Sequence, residues 1–116
     1  VTGPELARTI AGDVNPDHTT AIVREYVMPR ENLSKASAMV PSIQKMINDH
    51  GINVSMWVPV IAEDRNRVLV VYSAPDMKTL GKGNDEVAMT DEFQEMLVEA
   101  SKLGTLDRAF GMVNVN

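Results

Sequence analysis

Six residues combine chemical capacity with a place on a strand predicted from the sequence: Arg24, Tyr26, Trp57, Arg67, Tyr72 and Asn114. Phenol, indole and carboxamide groups donate hydrogen bonds, and a guanidinium holds an anion or a phenolate through a rigid fork of N–H donors. Tyr26, Trp57, Tyr72 and Asn114 could line a cavity between a sheet and its helices. A pair of arginines near a tyrosine could hold an anionic or phenolic ligand. The same residues also have a plain structural reading, with the aromatics as core and with Arg24, Arg67 and Arg108 in rim salt bridges or in contacts with a second copy. Which of them is catalytic stays open, as does whether the chain is an enzyme.

Other chemistry is thinner. His18 and His50 are the only histidines, and neither has the spacing of a metal site or a triad. His50 falls at a predicted helix C-terminus, where an imidazolium suits the dipole. His18 precedes the first predicted strand as a loop residue or at a pocket mouth. Ser34, Ser42 and Ser55 have no partnered histidine in a motif. Gly81-Lys82-Gly83 lacks the Walker spacing and reads as a flexible loop that could serve as a lid. With no cysteine among 116 residues, disulfide scaffolds, zinc-thiolate sites, iron–sulfur clusters and thiol nucleophiles are excluded. No metal site and no cofactor is expected.

Charge narrows the partners. The net charge of -5 opposes a phosphate backbone, whose affinity comes from clustered cations releasing counterions. Asp85, Glu86, Asp91, Glu92, Glu95 and Glu99 make the second half the acidic one and read as a solvated helix face, with a metal patch as the alternative. No apolar run approaches the roughly 20 residues that span a bilayer. The expectation is a cytoplasmic protein with no nucleic-acid and no membrane partner, although the chain begins at Val1 and a lost targeting segment is compatible with that start.

The elements that must position these groups follow from periodicity. Residues 1–18, punctuated by Gly3, Pro4, Gly12 and Pro16, read as an N-terminal arm or short helix with Leu6 and Ile10 on one face. Thr19–Met28 is a β-branched strand: Ala21, Val23 and Val27 make one face apolar, while Ile22, Arg24, Tyr26 and Met28 mix the other. A helix capped by Asn32 or Ser34 carries Leu33, Ala36, Val40, Ile43 and Ile47 as its stripe, with Met39 and Met46 widening it, and ends at Gly51; Pro41 should kink or break it. Ile52–Ile61 alternates as a strand that Pro59 assigns to an edge or a bulge. Residues 62–66 turn the chain into Arg67–Ser73, apolar on both faces and therefore central. Asp76 caps a short turn through Leu80, and a mobile stretch follows. Thr90 then caps a helix with Phe93, Met96, Leu97, Ala100 and Leu103 inward, and Arg108–Asn116 is a fourth strand.

The order β-α-β-β-α-β over residues 19–116 is the ferredoxin-like α+β arrangement, a four-stranded antiparallel sheet with its helices on one face. Two strands apolar on both sides leave an uncovered apolar sheet face, so the partner expected is a second copy, packed face to face as a homodimer. The four strands, Asp49 to Gly51 after the first helix, Val70 to Asp76 and the helix start Thr90 to Leu97 together resemble the dimeric α/β-barrel superfamily, in particular its antibiotic-biosynthesis-monooxygenase-like and stress-responsive members. That resemblance implies three functions: an uncharacterised binder of a small organic ligand between sheet and helices; a cofactor-independent monooxygenase of aromatic or polyketide-like substrates, with Tyr26, Trp57, Tyr72 and Asn114 as pocket residues; or a stress-associated structural protein. The haem-degrading branch has a histidine that no residue in the second half of this chain can match.

Overall fold

The computed structural model describes residues 7–12, 17–59 and 67–113. Five strands form one antiparallel sheet: β1 (Ala7–Gly12), β2 (Thr20–Val27), β3 (Asn53–Pro59), β4 (Arg67–Ala74) and β5 (Thr105–Val113), in the order β1-β3-β4-β2-β5. Three helices accompany them, α1 (Leu33–Ile47), α2 (Met77–Ala88) and α3 (Asp91–Leu103). The chain is thus α+β, and the expected four-strand sheet is corrected to five. The additional strand comes from the predicted arm. Residues 7–12, expected as arm or short helix, are extended and pair with β3, as their β-branched Thr9 and Ile10 favour. Because β1 flanks β3, Pro59 is not on an edge strand. It lies beyond Trp57↔Leu69, the last pair that β3 makes with β4, so the missing donor interrupts no bond of that ladder. β4 is central, as its two apolar faces require.

α1 forms because Ala36, Val40, Ile43 and Ile47 recur on one face, and all four are buried. Pro41 lies inside it without breaking it. The bond it forgoes, to the carbonyl of Ser37, is on the exposed side, where water can replace it. Gly51 closes this segment at φ 73, the left-handed cap the sequence predicts. Asn32 holds the cap position of α1 but makes no side-chain cap bond; its Nδ2 donates instead to the carbonyl of Leu103, 2.9 Å away, pinning the start of α1 to the end of α3. Thr90 caps α3, its Oγ1 accepting from the Phe93 N–H.

The expected mobile stretch after Leu80 is corrected. Asp76 accepts from the Thr79 N–H at 2.7 Å, and α2 runs on from there through both glycines to Ala88. Glycine in a helix costs about 1 kcal/mol, but Leu80, Gly83 and Val87 form a buried stripe that offsets it. Gly83 is a packing residue: a Cβ there would stand 2.6 Å from Ile52 Cδ1 and 3.0 Å from His50 Cβ. Both glycines thus lie within a helix, not in the flexible loop the sequence suggests.

The helices share one sheet face. Val54, Met56, Val68, Val70 and Ala74 join Val40, Ile47, Leu80, Val87, Phe93 and Met96 in a single core cluster. Strand register then assigns the faces: Ile22↔Tyr72↔Val54 and Arg24↔Val70↔Met56 lie under the helices, while Phe110↔Val23↔Val71↔Ser55 and Arg108↔Glu25↔Leu69↔Trp57 lie on the opposite, open face. The mixed face of the first predicted strand, not its plainly apolar one, meets the helices.

Candidate functional site

Register divides the sequence-predicted residues into two groups. Arg24, Tyr26 and Tyr72 share the helix side of the sheet, where the two tyrosines, with Met28, Met39, Met56 and Met96, line a cavity of about 40 Å³ and Arg24 stands outside its lining. Trp57 and Arg67 are on the open face. Trp57 donates from Nε1 to Ser55 Oγ at 2.8 Å, and Arg67 pairs with Glu25 and with Asp107. Arg108 also binds Glu25, at 2.8 Å, and its guanidinium covers the Phe110 ring at 5.0 Å. These two open-face residues cannot meet the tyrosines through the sheet. Asn114 lies outside the described residues, as does the predicted turn at residues 62–66.

Within the first group, the Arg24 guanidinium is 5.9 Å from the centre of the Tyr72 ring, a cation–π distance. Burial, reinforced by the neighbouring Tyr26 and opposed by Arg24, pushes the Tyr72 phenol up from 10.0 to about 12. At neutral pH it is a hydrogen-bond donor rather than a base. Neither tyrosine hydroxyl has a hydrogen-bond partner among the described residues, so both are available to a ligand. The arrangement puts two phenol donors at an apolar-walled space of about one water's size, with the Arg24 cation beside the Tyr72 ring.

This ionisation gives a testable pH dependence. Since the folded phenol binds its proton more tightly than the unfolded one, its contribution is fully present below pH 10 and lost as pH rises towards 12. The expected loss is roughly 2–3 kcal/mol. Absorbance titration at 295 nm should show one of the two tyrosines ionising late. In Tyr72→Phe that late step and the alkaline loss of stability should both be absent; a late step that survives assigns it elsewhere.

The four methionine walls were the missed part of the site. Their signal in the sequence is the excess of methionine, eight against five aromatics, with Met39 and Met96 on helix faces that meet the tyrosine strands. Both histidines contact other elements: His18 Nδ1 lies 2.9 Å from Ser73 Oγ, and His50 Nδ1 lies 3.0 Å from Glu86, tying the end of the α1 segment to α2. Asp85, Glu86, Asp91, Glu92, Glu95 and Glu99 are all exposed. No group of three metal-ligating residues occurs among the described residues, and no helix there is long and apolar enough to cross a membrane.

The fold, a five-stranded antiparallel sheet with helices on one face, fits the ferredoxin-like α+β class. Two solved structures share it. A candidate monooxygenase from Lactobacillus acidophilus NCFM aligns with a TM-score of 0.57 at 11% identity, over 96% of this chain and 49% of that one. A candidate monooxygenase from Fusobacterium nucleatum subsp. nucleatum aligns with a TM-score of 0.53 at 12% identity, over 92% and 46%. The chain spans about half the length of each, and at such identity the likeness is one of fold alone. No family model and no curated protein matches the chain.

Proposed function

We propose that the chain is a homodimer whose sheet–helix cavity binds a small planar organic molecule bearing phenol or carbonyl oxygens. One observation carries the ligand reading: Tyr26 and Tyr72, far apart in sequence, line one methionine-walled cavity with both hydroxyls unpartnered among the described residues, and Arg24 stands beside the Tyr72 ring. At about 40 Å³ the cavity fits about one water, so a ring enters only as the unbranched methionine walls change rotamer. Trp57 and Arg67 belong to the dimer contact in this reading. The uncovered face supports it: half-buried Leu69, Val71 and Trp57 surround buried Val23 with Phe110 on that face, and Phe110 is 38% exposed. Leu69→Glu would set a carboxylate in the centre of the contact. Sedimentation should then show a dimer for the unaltered chain and a monomer for the variant, whereas a monomer in both rejects the dimer.

The reaction this site would favour is cofactor-free oxygenation, a reading supported by the two fold neighbours. A methylene between phenolic rings would become a ketone: one atom of O₂ enters the product, the other leaves as water, and the substrate supplies all four electrons. Arg24 would favour the substrate's anion, and Tyr72 would donate to the carbonyl oxygen. Dithranol, a dihydroxyanthrone, is a suitable probe. Oxygen uptake above its spontaneous oxidation should fall roughly a hundredfold in Tyr72→Phe, as loss of one aimed donor predicts. Binding without uptake leaves a ligand-binding protein. No binding at all favours the stress-associated structural reading, for which the smallness of the closed cavity speaks.

A further inference from the structure

A second, larger depression lies directly outside the tyrosine cavity. It is a groove of about 670 Å³ between α1 and α3, with Met39, Met46, Met96 and Leu103 as its apolar floor and Lys35 and Lys102 on its rim. Three residues line the groove on one side and the cavity on the other: Met39 of α1, and Met96 and Leu103 of α3. Two of them are methionines, whose unbranched side chains change rotamer at low cost. Among the other depressions at the described residues, one shares a single wall with the cavity, Val40, which is β-branched and 1% exposed. Two further depressions share none. The bond from Asn32 to the Leu103 carbonyl fixes the two helices at one end of the groove, so the passage opens by side-chain rotation.

We propose that this groove is the mouth and outer chamber of the ligand site, that Met39, Met96 and Leu103 are its movable inner wall, and that the rim selects amphiphiles with an anionic end. The proposal rests on the reading that the tyrosine cavity binds a ligand. The aromatic head passes the methionines into the cavity, and the tail stays between the helices with its charge near the rim. Glu99 shares the rim and pairs with Lys102 at 3.1 Å, while Lys35 forms no ion pair among the described residues. Lys35 is therefore the cation open to a carboxylate or sulfonate.

The absence of cysteine from the chain allows a test on folded protein. Ser42 is an exposed groove residue that does not line the cavity. In Ser42→Cys, labelling the single thiol with N-phenylmaleimide should slow association of 1-anilinonaphthalene-8-sulfonate roughly tenfold, with the unlabelled variant unchanged. Lys35→Gln combined with Lys102→Gln should weaken that anionic probe about fivefold and leave the neutral N-phenyl-1-naphthylamine unaffected. A cavity-filling change, Ala100→Leu, or Leu97→Phe should the first not fold, separates the two levels of the reading. If filling abolishes binding but the groove label does not slow it, the entrance is elsewhere and the cavity reading stands. If filling has no effect, the probe binds outside the cavity and both readings fall. Equal weakening of the two probes by the lysine changes overturns the anionic preference.

Discussion

Ile47→Ala should be among the most damaging single truncations of this chain. Ile47 ends α1 with its side chain 2% exposed and ranks with the largest fully buried side chains. It belongs to the core cluster that joins α1 to the sheet. Removing a buried branched side chain loses its transfer free energy and leaves a cavity that its neighbours fill only in part. The cost of such a change is about 2–5 kcal/mol. Against a typical total of about 5–15 kcal/mol, that is a large fraction. At roughly 4 °C per kcal/mol for a domain near this size, the melting temperature should fall by about 8–20 °C. Lys45→Ala on the exposed face of the same helix supplies the comparison and should stay within about 0.5 kcal/mol. Thermal unfolding followed by circular dichroism measures both, and similar small shifts in the two would mean that α1 is not seated as described.

Ile47 also shows why much of the fold was legible. The stripe from Ala36 to Ile47 is a strong 3.6-residue period, the strands alternate or are apolar throughout, and Asp76, Thr90 and Gly51 punctuate them with side-chain or left-handed caps. These are local signals, and local signals set the order of elements. What escaped was decided by tertiary contact. Residues 7–12 are too short and too mixed to declare a strand, and pairing with β3 supplies what their own sequence lacks. α2 has two glycines and weak local propensity, yet the space beside Ile52 and His50 admits a helix only where no Cβ intervenes.

The candidate site divided along the same line. Alternation in residues 20–28 placed Arg24 and Tyr26 on one face, but no local signal said which face the helices cover. Two apolar faces compete on β4, and only the register with β2 and β3 reveals that Tyr72 joins Tyr26 while Trp57 and Arg67 oppose them. Partition across a sheet is a property of pairing, so six individually plausible residues could not be sorted by type. The excess of methionine was visible as composition but acquires a role only when Met39 and Met96 meet between two helices.

Gly12→Ala should release β1 from the sheet. Gly12 has φ 78, in the left-handed region where a side chain costs about 1–2 kcal/mol. Its partner in the ladder is Ser55, and a Cβ would stand 2.3 Å from the carbonyl oxygen of Val54 and 3.0 Å from Ser55 Cα. Both are backbone atoms of β3, itself held by β4, so no side-chain rotation relieves the overlap. The strand that can yield is β1, already irregular between Thr9 and Ala11. The expected result is local: the only tryptophan, Trp57, sits opposite Thr9 across this pair, and its emission should shift to the red as water reaches it. Helical circular dichroism should be largely kept, since α1, although it also touches β1, packs on β3, and α2 and α3 pack on other strands. Hydrogen exchange should accelerate at the β3 amides that face β1 and stay slow in β2 and β4. Unchanged emission and exchange would show that the β1 pairing tolerates a side chain, while a global loss of protection would make β1 part of the cooperative core rather than a strand added to its edge.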